Sequence, residues 1–461
     1  MVVTERGTLI AAHAPTVQLS RFVIVYRDAV PGEHVLYDVL EDRYLGVDDA
    51  GLSAISRWRD APPAEAERES AEALGAMGFV VADAAADEDR LADAERRAHR
   101  GRESTTYVTF LPTLACNLAC TYCFQKDVEG ERMARETEDA SVAFVLRKVD
   151  AAGSRLLTVH YIGGEPLTRK DLLLRTAARF GEAMRERGGA FEWEITTNGI
   201  GLGAEFARAM LAHGKGSIKV TLDGDRETHD AARIWRSGQG TFDAIYGALA
   251  EVARACPELS LRLGGNFRAG QEASYERLLD RLERDGLSGR FDAVRFKPVV
   301  EVSNSCGSCA VEPGEADTLV QLGKSVRRRG IARDPRLSGI DAVGACETHW
   351  DTNWTVDPTG NVYRCIMMAG HPEMAVGTVH DDAAGANPLT ASRPWASDPK
   401  CATCAFVPVC FGGCLGSAYL QTGRSGSVLC RLESFEKSFR EEVVARYLAE
   451  FHPQSDVIRA A

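Results

Sequence analysis

Cys116, Cys120 and Cys123 stand in the stretch LACNLACTYCF, with Tyr122 directly before the third. Three thiols so close together are an odd number for disulfides and one short of a closed zinc site. A 4Fe-4S cluster accounts for the number: it ordinarily takes one thiolate on each iron, so a chain that supplies three leaves one iron open to another ligand. Ala115 and Ala119 keep the loop small enough for close backbone approach. The competing chemistry is a zinc knuckle that conscripts His160, although His160 falls inside a strand-like run. A second group follows in the tail. Cys346 is separated by thirteen residues from Gly360, and Gly360 by four from Cys365; Cys401, Cys404, Cys410 and Cys414 then form CxxCx5Cx3C, and Cys430 closes the series. Taken alone, this tail fits either iron-sulfur clusters or a pair of zinc ribbons. Cys256, in EVARACPEL, reads as a small buried hydrophobe. Cys306 and Cys309, in SNSCGSCAV, are ligands or bystanders.

The elements that must position these residues follow from hydrophobic rhythm. TYVTFLP, LLTVHYIGG, FEWEITTNG, SIKVTLDG, LSLRLGGN and VRFKPVV are strand-like runs. Helical segments separate them, such as SVAFVLRKV with Val142, Val145, Leu146 and Val149 on one face. Six such repeats predict an α/β fold with a parallel sheet, open or curled into an incomplete barrel. Chemistry in these folds gathers at the carboxyl ends of the strands. The three cysteines follow the first run, GGEP the second, TTNG the third, LDG the fourth and GGN the fifth. Residues 1–83 read as a small separate domain, with short strands in RFVIVY, HVLYDVL and RYLGV before two helical stretches. The mixed-charge segment 84–103 reads as a linker, helical or extended, 104–325 as the barrel, and 326–461 as a cysteine-rich domain. It closes on a helix whose Leu432, Phe435, Phe439 and Val443 form a docking stripe.

With 461 residues, 45% of them hydrophobic, and a formal net charge of -12, the chain can bury large cores and is not built to ride on nucleic-acid phosphates. The start has no basic segment followed by an apolar one, and no run could span a bilayer, which places the protein in the cytoplasm. Close-spaced cysteines there are metal or redox ligands rather than staples.

CNLACTYC is similar to the CxxxCxΦC signature of radical S-adenosylmethionine (SAM) enzymes. The resemblance implies a partial (β/α)6 TIM-like barrel in which Cys116, Cys120 and Cys123 hold a 4Fe-4S cluster whose open iron is chelated by SAM. Gly163, Gly164 and Glu165 resemble the motif that receives the methionine ammonium, and Thr196, Thr197 and Asn198 the polar cluster near the ribose. Thr221, Asp223 and Gly224, with His229, Asp230 and Arg233, resemble the SLDG and HDxxR elements; Arg233 would meet the methionine carboxylate, and Tyr122 would pack on the cluster. The tail resembles the SPASM pattern of peptide-modifying radical enzymes, which holds two auxiliary 4Fe-4S clusters, three clusters in all. Carried over, Cys401, Cys404, Cys410 and Cys430 close one, while Cys346, Cys365 and Cys414 hold the other with one ligand short. Ile340 stands near the position where some members complete it, and Cys306, Cys309 or a substrate thiol are the candidates.

The first domain resembles the PqqD-like leader-recognition module, of winged-helix-like fold, which adds a peptide strand to its sheet edge. The implied activity is cleavage of SAM to a 5'-deoxyadenosyl radical that takes hydrogen from a ribosomally made precursor peptide, forming a thioether or carbon-carbon crosslink. A flavodoxin or ferredoxin would supply the electron. Sulfatase-maturing relatives carry an aspartate directly after the second SPASM cysteine; here Ile366 stands there. A protein-modifying enzyme of the sulfatase-maturase or epimerase kind remains an alternative, as do an electron-transfer protein with several clusters and a zinc-dependent scaffold. Asp223, Tyr161 and Asp351 are the acid-base candidates.

Overall fold

The computed structural model describes residues 2–3, 9–10, 16–123, 125, 130–299, 314–334, 346–381 and 384–453. Among them the largest sheet has nine strands: β1 (Thr105–Phe110), β2 (Leu156–Tyr161), β3 (Ala190–Thr197), β4 (Lys215–Thr221), β5 (Ser260–Phe267), β6 (Ala293–Pro298), β7 (Asn353–Val356), β8 (Asn361–Tyr363) and β9 (Gly377–Thr378). Their order is β6-β5-β4-β3-β2-β1-β7-β8-β9. Every pairing from β6 to β7 is parallel, and β8 and β9 return antiparallel.

Parallel neighbours need crossovers, and helices supply them: Arg135–Ala152, Lys170–Glu186, Ala204–Leu211, Phe242–Ala255 and Glu272–Arg284 among others. The two faces of the sheet differ because side chains alternate. Leu157, Val159 and Tyr161 on β2, Trp193 and Ile195 on β3, and Ile218 and Val220 on β4 pack with Val142, Phe144, Val145 and Val149 of the first crossover helix and its neighbours in one core. Alternate positions such as His160, Glu194 and Lys219 therefore face the lumen. All six expected strands are present. The chain differs from expectation at β7: a strand from the cysteine-rich tail joins β1 in parallel, so the sheet runs on past residue 325 and carries the tail with it.

Before the barrel, Val23–Val30, Glu33–Asp38 and Arg43–Asp48 form an antiparallel three-stranded sheet, followed by helices Asp49–Arg57 and Arg68–Ala76. The segment expected to be a linker is a packed 17-residue helix, Ala84–Arg100. Its apolar stripe is narrow but lined with alanines: Ala94 and Ala98 sit close against Phe22, Tyr363, Met368 and Trp395. Ion pairs pin its polar side, with Arg90 2.6 Å from Asp38 and Arg393 on Glu95. Small residues let backbones approach, and a search for a wide apolar face overlooks that.

The last helix, Leu432–Phe451, lies on the N-terminal sheet, where Phe439, Val443 and Tyr447 meet Tyr37, Val39 and Phe406. Leu432 does not belong to that stripe, being 40% exposed; the buried face instead runs on to Tyr447 and Leu448. No helix among the described residues is long and apolar enough to cross a membrane. Phe439→Ala is expected to cost about 3–5 kcal/mol in chemical denaturation, and Leu432→Ala to stay within about 0.5 kcal/mol.

Candidate active site

The three-cysteine loop leaves the carboxyl end of β1 and is pinned from two sides. On one side Ala119 N donates to Ile234 O at 2.8 Å and Thr121 N to Ala232 O at 3.0 Å. Arg236 Nε reaches Cys116 O at 2.8 Å. On the other side Gly164 N donates to Thr113 O at 3.0 Å and Glu165 N to Ala115 O at 2.9 Å. Contact is so close that a Cβ at Gly163 would lie 2.2 Å from Thr113 O, and one at Gly164 2.2 Å from Ala115 O. The two glycines are therefore required by packing against the cysteine loop, independently of any ligand.

Glu165 is the buried carboxyl group of the site, only 1% exposed. Its carboxylate accepts from Leu167 N at 2.8 Å, Thr197 Oγ1 at 2.7 Å and Asn198 N at 2.7 Å. These partners are neutral, so burial outweighs them and raises its pKa from 4.5 to about 7. Thr197 and Asn198 thus act here by fixing Glu165. Thr196, one residue earlier, points the other way, its hydroxyl 2.8 Å from His160 Nε2 in the lumen. Asn198 Nδ2 donates to Asn117 Oδ1 at 2.8 Å and stands 3.9 Å from Cys116 Sγ.

The buried cation is Arg233. Its guanidinium donates to Tyr122 Oη at 2.8 Å and lies 4.0 Å from Asp223. Tyr122 in turn donates to Asp223, which also accepts from Asn266 N at 2.8 Å. Asn266 Nδ2 reaches Tyr122 Oη at 3.1 Å. Burial raises the Asp223 carboxyl above its usual range, and Arg233 opposes that rise. His229 and Asp230 have supporting roles. His229 Nδ1 accepts from Asp223 N at 3.2 Å, and Asp230 caps the start of the next helix by accepting from Thr241 N and Phe242 N. Thr221 faces the lumen, paired in register with Gly264. Burial raises the pKa of Cys116, and Glu165 and Arg233 also act on it, the first raising it and the second lowering it.

The thiols fall into three neighbourhoods. Cys116, Cys120 and Cys123 feel one another's charge. So do Cys346, Cys365 and Cys414, linked through Cys365, and so do Cys401, Cys404, Cys410 and Cys430. Burial lifts Cys120 and Cys401 to about 11 and Cys365 and Cys410 to about 12. A thiolate ligand must shed its proton, so loading such sites releases protons. Among the described residues no three His, Cys, Asp or Glu side chains converge where a single ion would sit. A cuboidal cluster does not require that, since each thiolate meets a different iron.

Residues 110–266 match the radical SAM superfamily. They form a radical SAM domain. Mycofactocin maturase MftC of Mycolicibacterium smegmatis is 25% identical over 343 residues, covering 69% of this chain and 80% of its own. PqqA peptide cyclase of Rhodopseudomonas palustris is 26% identical over 334 residues, covering 68% of this chain and 82% of its own. Among solved structures, native anSMEcpe with bound AdoMet and Cp18Cys peptide superposes with a TM-score of 0.58 at 15% identity, over 75% of this chain and 99% of that one. The protein is an enzyme whose residues 110–266 are similar to the radical SAM superfamily, and the structural likeness carries the fold.

Two of the three acid-base candidates lie away from the domain's site. Tyr161 is fully buried on the helix side of β2, its hydroxyl 2.9 Å from Thr176. Asp351 is exposed beside His99, before β7 and near the amino ends of the parallel strands. Only Asp223 stands at the carboxyl rim. His160 turns inward to Thr196 and stays neutral, burial lowering its pKa to about 4. Cys256 is buried in the core. Cys306, Cys309 and Ile340 lie outside the described residues. Asn266 and Asn117 join the site without having been singled out as site residues; GGN at a strand end, the position that marks TTNG, was the signal for Asn266.

Glu165 keeps its proton to about pH 7 in the folded chain and only to about 4.5 when unfolded. The folded state therefore binds more protons between those values, and the stability of the cluster-free chain falls by about 3 kcal/mol as pH rises through that window. Urea midpoints at pH 5 and pH 8 check this: Glu165→Gln is expected to remove that part of the difference.

Proposed function

We propose that this enzyme is a radical SAM peptide maturase that removes hydrogen from a ribosomally made precursor peptide and forms a thioether or carbon-carbon crosslink in it. The observation that carries the reading is the pairing of a buried carboxylate and a buried guanidinium on the two sides of one three-thiol loop. An amino-acid zwitterion asks for that pair: an anion for its ammonium, a cation for its carboxylate. Arg233 Nε is buried without a hydrogen-bond partner among the described residues, which fits a guanidinium with donor capacity left for a ligand.

In this reading Cys116, Cys120 and Cys123 hold a 4Fe-4S cluster, Glu165 receives the methionine ammonium of SAM, and Arg233 receives its carboxylate. Bound there, cluster and nucleoside would supply the radical chemistry needed to remove hydrogen from an unactivated carbon. The chain's own work is placement and dryness. Tyr122, Asp223 and Asn266 lock the Arg233 head group, and Thr197 and Asn198 lock Glu165, so neither charge need reorganise when the ligand arrives.

Cys401, Cys404, Cys410 and Cys430 would close one auxiliary 4Fe-4S cluster, and Cys346, Cys365 and Cys414 would hold another that lacks a fourth thiolate. Residues 1–83 would recognise the leader of the precursor by adding its strand to the edge of the three-stranded sheet. The contact of the last helix with that sheet would then tie leader binding to the cysteine-rich tail. A cytoplasmic flavodoxin or ferredoxin would be the reductant. The names of the maturase and peptide-cyclase relatives support the substrate class, and Ile366 in place of aspartate speaks against sulfatase maturation.

Anaerobically reconstituted protein is expected to carry about twelve iron atoms per chain, not two or three zincs. With dithionite and SAM it should form 5'-deoxyadenosine, and Cys116→Ala should abolish that product. Coexpressed with a candidate precursor peptide, it should lower the peptide mass by two hydrogens; an unchanged mass with altered chirality would mean epimerisation instead.

A further inference from the structure

The lumen of the sheet carries more positive charge than its walls neutralise. Thr196 on β3, Lys219 on β4 and Arg262 on β5 stand in register, and Asn266 on β5 pairs with Lys297 on β6. Side chains at these positions point away from the apolar core and into the lumen. Two of the charges are matched: Arg262 lies 3.3 Å from Glu194, which also accepts from Tyr107 Oη at 3.1 Å. His160 is neutral and engaged with Thr196. Arg295, the other cation on the lumen face of β6, is held 2.6 Å from Asp334.

Lys219 is different. Among the described residues its ammonium has no ion-pair or hydrogen-bond partner, and Arg262 and Lys297 repel it across the lumen. Its methylenes run over Gly264, 3.6 Å from where a Cβ would be, so the next strand leaves its path open. Burial, then Lys297 and Arg262, lower its pKa to about 8. A half-buried, unpaired ammonium is costly to keep, and an anionic ligand is what would offset that cost. Counting the charges that face one another, Lys219, Arg262 and Lys297 outweigh Glu194. The position is informative as well. Lys219 is level with Thr196, one residue deeper than Thr197, whose hydroxyl holds Glu165.

We infer that the lumen binds a carboxylate of the substrate, with Lys219 as its ion-pair partner and Arg262 and Lys297 beside it. The inference rests on the maturase reading, since it places the substrate in the same lumen. An acidic side chain of the peptide and a free C-terminus offer the same chemistry, and two probes separate them.

The experiment uses the reconstituted full-length enzyme with SAM and titrates three small probes by saturation-transfer NMR: N-acetyl-glutamate amide, N-acetyl-glutamine amide, and N-acetyl-alanine with a free carboxylate. The expected result is at least tenfold tighter binding of a carboxylate probe than of the glutamine amide. That preference should be lost in Lys219→Met, kept in Lys219→Arg, and weakened several-fold in Lys297→Met. Preference for the glutamate amide assigns the carboxylate to a side chain, and preference for the alanine probe assigns it to a C-terminus. Equal binding of all three probes to the wild-type enzyme, or an undiminished preference in a Lys219→Met protein with normal iron content and melting temperature, overturns the inference. If Lys219→Met does not fold, the wild-type comparison and Lys297→Met decide. Formation of 5'-deoxyadenosine by the wild-type enzyme is measured in parallel: its absence sinks the underlying reading, whereas its presence with equal probe binding sinks only this inference.

Discussion

A carboxylate and a guanidinium buried at the rim of one sheet, on either side of a loop of thiols, set the terms for the rest of the molecule. Buried charges are tolerated only where hydrogen bonds surround them. Glu165 obtains its bonds from the backbone of Leu167 and Asn198 and the hydroxyl of Thr197, so β2 and β3 must be adjacent and in register. Arg233 obtains its support from Tyr122 and Asp223, with Asn266 behind them, so the cysteine loop, β4 and β5 must meet as well. A parallel sheet with all its carboxyl ends on one side satisfies both demands at once. Five successive strand ends then contribute to a single rim.

The same alternation that builds the core builds the lumen. One face of each strand supplies the Leu, Ile, Val and Trp side chains that pack on the crossover helices; the other carries hydroxyls, His160 and charges. Chain segments far apart in sequence are stitched around this centre. The tail adds β7 to the sheet, the helix Ala84–Arg100 packs on Tyr363 and Trp395, and the last helix covers the N-terminal strands. The cysteine-rich tail is thereby held against both the barrel and the first domain.

Much of this was legible in the residues. Short apolar runs separated by amphipathic helices specify a parallel α/β sheet, and strand-end motifs specify where its chemistry lies. Spacing alone groups Cys414 with Cys401, Cys404 and Cys410, whereas in the structure its charge is felt at Cys365. What escaped was long-range or depended on small side chains. Nothing local in NWTV says that it will pair with β1, and Ala94 and Ala98 pack closely without forming a broad stripe. Tyr161 and Asp351 were acid-base candidates by residue type alone; strand alternation turns the first into the core, and the direction of β7 puts the second near the far end of the sheet. Thr196 and Thr197 are neighbours with opposite fates for the same reason, one facing His160 and the other Glu165.

The most direct measurement is electron-nuclear double resonance on the reduced, reconstituted enzyme with SAM labelled with nitrogen-15 at the methionine amine. If Glu165 and Arg233 present that amino acid to an iron left open by Cys116, Cys120 and Cys123, the cluster signal shows a hyperfine coupling to the label. An assembled cluster whose signal is unchanged by the nucleoside and carries no such coupling would contradict the account.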